Sequence, residues 1–129
     1  MNEELKDKWF DESIKDRISK IHLELEDDAV GLWQIIPFGR QGYGLAGEDL
    51  VEYVRRSLLA LFAHGAIPVQ GAIDGIHYWE PVDRFGADPE SMVQGVIDEW
   101  LASSEDPDPG GLWFAMPSSC EILKADHPE

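Results

Sequence analysis

The chain has 129 residues and a formal net charge of −16, because 26 acidic residues outnumber 10 lysines and arginines. A hydrophobic content of 43% with five tryptophans excludes a disordered chain, and the length suits one domain, residues 1–129. The negative field makes nucleic acid an unfavourable partner and favours a basic protein, and no apolar stretch is long enough for a membrane span.

The first helix is predicted over residues 3–25. Apolar residues that include Leu5, Trp9 and Ile14 recur every three to five positions, so they would form one buried stripe. Residues 22–26 alternate as a strand would, but a helix is favoured.

A short second helix is predicted over residues 29–36. Asp27 and Asp28 offer an N-cap, and Pro37 stops the helix. A buried strand is the alternative for so short an apolar run. A glycine-rich loop follows over residues 39–47.

The third helix, residues 47–64, has the clearest pattern in the chain. Leu50, Val54 and Leu58 belong to a broad apolar face, and Gly65 is placed to end the helix in the left-handed conformation.

A β-hairpin is predicted next, because apolar residues 67–73 and 76–79 flank Asp74-Gly75. Pro68 indicates that the first of these strands lies at a sheet edge or begins there.

The fourth helix begins after Asp88, the predicted N-cap, with Pro89 in its first turn. Its buried face runs to Trp100 and Leu101. A loop rich in proline, aspartate and glycine leads to a strand over residues 112–116, and the tail is expected to fray from about residue 118. The predicted fold class is α+β, with helices packed on a small antiparallel hairpin or sheet.

No motif predicts catalysis, a cofactor or a metal. Residues 42–47 match Gly-x-Gly-x-x-Gly, but Pro37 precedes them and Glu48 and Asp49 would repel a pyrophosphate. Residues 106–111 begin like a calcium loop but lack its later ligands. The four histidines lack metal-ligand spacing, nothing marks Cys120 as a nucleophile, and the adjacent acids Asp27-Asp28 and Asp98-Glu99 point apart on a helix. The chain is therefore not expected to be an enzyme.

Two tryptophans and four acids are the candidate partner-binding residues. Trp79 and Trp113 occupy strand positions at which one ring could be exposed, although core packing is the commoner role; Trp9, Trp33 and Trp100 are expected in the core. The candidate acids are Asp98, Glu99, Asp106 and Asp108.

The central elements resemble a winged helix: a short helix, a longer helix closed by glycine, and a two-stranded wing. Glu99-Trp100-Leu101 with the Asp-Pro-rich loop and Trp113-Phe114 also resembles a small uncharacterised bacterial family, in which a Glu-Trp helix precedes an Asp-Pro-x-x-Gly loop and a Trp-Phe strand. The resemblance implies a fold and no established activity.

Three functions are compared on this basis, all for a cytoplasmic protein of bacterial type. The first is a non-catalytic module whose acidic face binds a basic protein, such as an immunity protein that inhibits a basic toxin. The alternative is a winged-helix regulator contacting nucleic acid through Arg40, Arg55 and Arg56. The third is a small hydrolase-like enzyme using His77 and nearby carboxylates. The sequence predicts no oligomeric state.

Overall fold

The computed structural model describes residues 1–103 and 105–123, which form an α+β fold as predicted. The helices and strands of this part of the chain are α1 (Ile14–Lys20), β1 (Val30–Gly31), α2 (Leu32–Pro37), α3 (Gly47–Ala63), β2 (Ile67–Gly71), β3 (Trp79–Pro81), α4 (Pro89–Ala102) and β4 (Trp113–Ala115). Short 3-10 helices cover Ile21–Glu26 and Pro117–Glu121, and a π-helical turn covers Phe38–Gly42.

The four strands form one antiparallel sheet in the order β1-β4-β2-β3. Trp113 of β4 lies opposite Gly31 on one side and Val69 on the other, and Trp79 lies opposite Gly71. Because alternate residues of a strand share a face, Trp113 and Trp79 lie on the same face of the sheet.

The other face of the sheet packs on the helices. Phe114 is fully buried there, with its ring edge-on to Phe62 of α3 at a centroid distance of 5.5 Å. Helix α3 buries Leu50, Val54 and Leu58, which confirms its predicted apolar face.

Local capping signals fix the start of α4 and the end of α3, as predicted. The Asp88 carboxylate accepts a hydrogen bond from the Ser91 N–H at 3.0 Å, and Pro89 is the first residue of α4. Gly65 follows α3 with a φ of +97°, which glycine adopts without strain. One part of the predicted α4 face is wrong: Leu101 is 56% exposed.

The hairpin is confirmed, with a longer connection than predicted. The Asp74 carboxylate accepts the backbone N–H of Ile76 and of His77 at 2.8 and 2.9 Å, and this turn delays β3 until Trp79. Strand β2 is interior, so Pro68 marks the start of a strand and not a sheet edge.

The prediction of a helix from residue 3 is wrong, because α1 begins only at Ile14. The buried Asp7 carboxylate accepts the N–H of Trp9, Phe10 and Glu12, which folds the preceding segment into a turn. Trp9, expected in the core, is therefore 49% exposed, and Phe10 is 71% exposed.

The second predicted helix also begins later, and Pro37 does not stop the helical backbone, which continues as the π-helical turn Phe38–Gly42. Val30–Gly31 pairs with β4 as a strand, and α2 starts at Leu32. The Gln34 side-chain oxygen accepts the Gly31 N–H at 2.9 Å, so Gly31 occupies the N-cap position. The Asp28 carboxylate instead accepts a hydrogen bond from the N–H of the neighbouring Ala29.

The segment after β4 folds back along the hairpin instead of fraying at residue 118. The Tyr78 N–H donates to the Ile122 carbonyl at 3.3 Å, and Leu123 forms an antiparallel bridge with His77. Residues 124–129 of the predicted tail lie outside the described residues. Within residues 1–103 and 105–123, no helix combines the length and apolar character needed to cross a membrane.

Candidate protein-binding site

The fold brings Trp79 and Trp113, the two aromatic candidates, into contact. Their ring centroids are 5.2 Å apart, and both side chains are half-buried. The Trp113 Nε1–H donates to the Pro109 carbonyl at 2.8 Å, which fixes the orientation of the ring. Trp33, expected in the core, is half-buried against the other side of Trp113 at 6.1 Å. Three indoles thus form a continuous row on the outer face of the sheet.

Glycine in β1 makes this row possible. A Cβ atom at Gly31 would lie 2.6 Å from Trp33 Cδ1 and 3.1 Å from Trp113 Cε3. Both distances are too short for carbon atoms in contact, so any side chain at Gly31 would displace the indoles.

Trp79 lies between two grooves of different character. We call the first the tryptophan groove; it has a volume of about 500 Å³ and is lined by Gln70, Gly71, Ile73, Tyr78, Trp79, Pro109, Gly110 and Trp113. The second, the acidic groove, has a volume of about 690 Å³ and is lined by Leu25, Glu26, Asp27, Asp28, Tyr78, Trp79, Met116, Ser118, Ser119 and Ile122. Tyr78 and Trp79 contribute to both grooves.

The lining of the acidic groove combines apolar residues with three acids. Glu26, Asp27 and Asp28 are consecutive and exposed, and none of them forms an ion pair with any residue that the structure describes. Three uncompensated carboxylates in sequence make the local potential negative, which favours a cationic partner.

Two of the candidate acids are already paired with arginines of the chain. Both carboxylate oxygens of Glu99 accept hydrogen bonds from Arg84, at 3.1 and 2.9 Å. Asp106 is paired with Arg40, whose hydrogen bond lowers the pKa of that carboxyl below its usual value. Their negative charge is therefore largely compensated within the molecule.

The remaining two candidate acids take different positions. Asp108 accepts the Gly110 N–H at 2.9 Å and so shapes the loop that borders the tryptophan groove. It also lines a cleft of about 300 Å³ together with Glu99 and Asp106. Asp98 accepts a hydrogen bond from Gln94 on the surface of α4 and lies outside these grooves.

Exposed apolar residues at the hairpin tip extend the surface beyond the predicted residues. Ile73 is 93% exposed and Ile76 is 49% exposed, on either side of the Asp74-Gly75 turn, and Tyr78 is 37% exposed. Large apolar side chains beside a tight turn were the sequence signal for this surface, because a hairpin tip projects from the core.

The three arginines of the nucleic-acid hypothesis are each engaged by carboxylates. Besides the Arg40 pair, Glu52 contacts both Arg55 and Arg56, at 3.3 and 2.8 Å. Arg56 also pairs with Glu3.

The enzyme hypothesis depends on His77. Its Nδ1 lies 2.8 Å from Asp74 Oδ2, and this contact, with the two backbone N–H bonds, holds the Asp74 pKa well below its usual value. No serine hydroxyl or thiol among the described residues hydrogen-bonds the His77 ring. Burial and the nearby Glu121 raise the pKa of Cys120, so the thiol is not activated.

Across the described ranges, no three histidine, cysteine, aspartate or glutamate side chains converge as metal ligands would.

The resemblance to a winged helix and to a small bacterial family stays a prediction, because no family model, curated protein sequence or solved structure matches this chain.

Proposed function

We propose that this protein is a non-catalytic module that binds a basic protein through the surface around Trp79. An inhibitor of a basic toxin, of the immunity type, is the concrete form of this function. The observation that carries the proposal is a groove lined both by the half-buried Trp79 and by the exposed Glu26, Asp27 and Asp28, which have no ion-pair partner among the described residues.

The physical argument joins two contributions to binding. A partly exposed tryptophan in a groove supplies a large apolar anchor, and such anchors dominate interface energies. Uncompensated carboxylates attract a basic surface and accelerate its association. Trp113 and the exposed Ile73 enlarge the apolar part of the surface.

The charges of the chain weigh against the nucleic-acid alternative. A phosphate-binding surface needs lysines and arginines that are free to replace counterions. Arg40, Arg55 and Arg56 are each held by a carboxylate, and the net charge of −16 adds a repulsive field.

The test is capture of a partner from the native host, followed by measured affinities for variants of the full chain. Trp79→Ala is expected to weaken binding at least tenfold, because a central indole anchor contributes about 2 kcal/mol or more. Trp9→Ala is the matched control, since Trp9 is also partly exposed but lies on the N-terminal turn.

A charge-matched pair of variants tests the electrostatic contribution. Asp27→Asn combined with Asp28→Asn should slow association and flatten its salt dependence, whereas Glu90→Gln combined with Asp98→Asn should leave both nearly unchanged. The proposal is refuted if the captured partner is acidic or a nucleic acid, or if Trp79→Ala and Trp9→Ala have the same effect.

A further inference from the structure

A further groove lies between α3 and α4, and we call it the helical groove. It has a volume of about 710 Å³, and its lining includes Val51 of α3 and Leu101 of α4. Leu101 is 56% exposed, although it directly follows the buried Trp100 at the end of the apolar face of α4. The helical groove shares no lining residue with the tryptophan groove or the acidic groove.

One face of α3 carries opposite charges at its two ends along this groove. Glu48, Val51, Glu52 and Arg55 follow one another at i, i+3, i+4 and i+7, so they share a face of the helix, and all four line the helical groove. Glu48 lies at the N-terminal end of this stripe, and Arg55 lies roughly 10 Å further along the helix axis. The apolar Val51 lies between them.

Two copies of such a stripe are complementary when they run antiparallel. A two-fold axis near Val51 would place Glu48 of each copy opposite Arg55 of the partner subunit, so that the same contact forms twice. Antiparallel helices also oppose their dipoles favourably.

The charges of the stripe are available for such a contact. Glu48 is exposed and forms no ion pair within the part of the chain that the structure describes. The contact between Arg55 and Glu52, at 3.3 Å, is a partly exposed pair on the helix surface, so Arg55 can exchange one carboxylate for another at little cost. Glu52 keeps its compensation from Arg56, which lies 2.8 Å away.

The distribution of charge along the chain explains why this surface suits a second copy. Each chain carries −16, so two copies repel each other across most of their surfaces. Residues 29–73, which include α3, contain three acids and three arginines and carry no net charge, whereas residues 1–28 carry −5 and residues 74–129 carry −11. A contact centred on α3 therefore joins two copies at the segment that repels least.

We propose that two copies of this chain associate through the helical groove, with their α3 helices antiparallel and with Val51 and Leu101 in the apolar centre of the contact. This inference goes beyond the proposed function and does not depend on it. The surface around Trp79 stays open in both copies, so the dimer presents two such surfaces.

Sedimentation equilibrium of the full chain at about 150 mM salt, which screens long-range repulsion, measures the association. We expect a reversible dimer with a Kd of about 200 µM or tighter, and a weaker or undetectable association overturns the proposal. Leu101→Asp should weaken the dimer at least about tenfold, because the contact would bury an unpaired charge. Leu23→Asp is the matched control: Leu23 is 47% exposed and does not line the helical groove, so the dimer should weaken less than about twofold. Equal effects of the two variants overturn the proposal.

Charge reversal tests the antiparallel arrangement. Glu48→Arg gives the stripe a positive charge at both ends, and Arg55→Glu gives it a negative charge at both ends. Each variant alone should weaken its own dimer at least about tenfold, because like charges then face each other. An equal mixture of the two variants should restore the Kd to within about threefold, since the arginines of one copy meet the glutamates of the other.

The mixture separates a contact between copies from an effect within one copy. A change in folding or in the Glu52 pair would persist when the two variants are mixed, and far-UV circular dichroism checks that each variant is folded. A mixture that stays monomeric overturns the antiparallel contact, as does either variant alone that dimerises as strongly as the natural chain. A dimer that is lost in Trp79→Ala but kept in Leu101→Asp would lie on the tryptophan surface and would also overturn the proposal. None of these measurements involves the partner of the proposed function, so the two proposals fail independently.

Discussion

Replacing Asp7 by asparagine tests whether one buried carboxylate shapes the N-terminal turn. Asp7 Oδ2 accepts the N–H of Trp9 at 3.0 Å and of Phe10 at 2.7 Å, and Oδ1 accepts the N–H of Glu12 at 2.8 Å. An asparagine keeps one acceptor oxygen, so it can preserve the first two bonds. The asparagine NH2 group then faces the Glu12 N–H, and because both groups are donors, the hydrogen bond from Glu12 is lost.

The magnitude follows from the lost bond. A hydrogen bond to a charged group contributes about 1.5–3 kcal/mol, and water can reach part of this turn, so Asp7→Asn should lower the free energy of unfolding by about 2 kcal/mol. For a chain of this size, that corresponds to a decrease in Tm of roughly 8 °C.

The effect should depend on pH in a defined direction. Burial raises the pKa of Asp7, but the bonds from Glu12, Phe10 and Trp9 outweigh it, so the folded pKa lies below the ordinary value of 3.8. The carboxylate therefore stabilises the fold fully above about pH 4, and this contribution is lost as the pH falls through the folded pKa.

Urea denaturation followed by far-UV circular dichroism at pH 7 and at pH 3 measures both effects. Asp11→Asn is the control, because the Asp11 side chain is 84% exposed and its ion pair with Lys6 is long, at 3.8 Å. It should change the free energy of unfolding by less than about 0.5 kcal/mol. The reasoning is wrong if the two variants are equally stable at pH 7, or if Asp7→Asn loses none of its effect at pH 3.

Three further predictions concern the sheet, the buried Tyr43 and the surface ion pair between Arg84 and Glu99. Gly31→Ala should lower the free energy of unfolding by about 1–3 kcal/mol and alter the near-ultraviolet dichroism, because the new methyl group would displace Trp33; an unchanged spectrum would count against this. Burial raises the pKa of Tyr43 above its usual 10.0, so stability should fall as the pH rises above about 10, and Tyr43→Phe should reduce that slope in alkaline denaturation. Arg84→Gln should cost about 1 kcal/mol or less in urea denaturation, since its pair with Glu99 is exposed; a larger loss would indicate a structural role for the pair.

The candidate site was only partly predictable from the sequence. Trp79 and Trp113 could be nominated because aromatic residues in short strands are either core or anchor residues, but their mutual contact depends on the pairing of β4 with β2. For the acids nominated from the loop after α4, the sequence could not predict which of them are paired. Asp106 is compensated by Arg40, which lies 66 positions away, and sequence proximity gives no sign of such a contact.

The sequence by itself determined α3, α4 and the hairpin, because each is specified by local signals: apolar spacing, the Asp88 cap, Gly65 and the Asp74-Gly75 turn. Caps and turns act between near neighbours, and an apolar stripe marks the buried face of a helix whichever element covers it.

Only the tertiary structure decided where the N-terminal helix begins and which acids lack ion pairs. The apolar spacing of residues 3–25 is real, but the Asp7 carboxylate stabilises a local turn, and the Lys8 N–H holds this turn to the distant Gly42 carbonyl at 3.0 Å. Likewise, Asp27, Asp28 and Trp79 come from separate segments of the chain and line one groove only in the folded structure. Contacts between distant segments depend on the packing of the whole chain, and no local pattern encodes them.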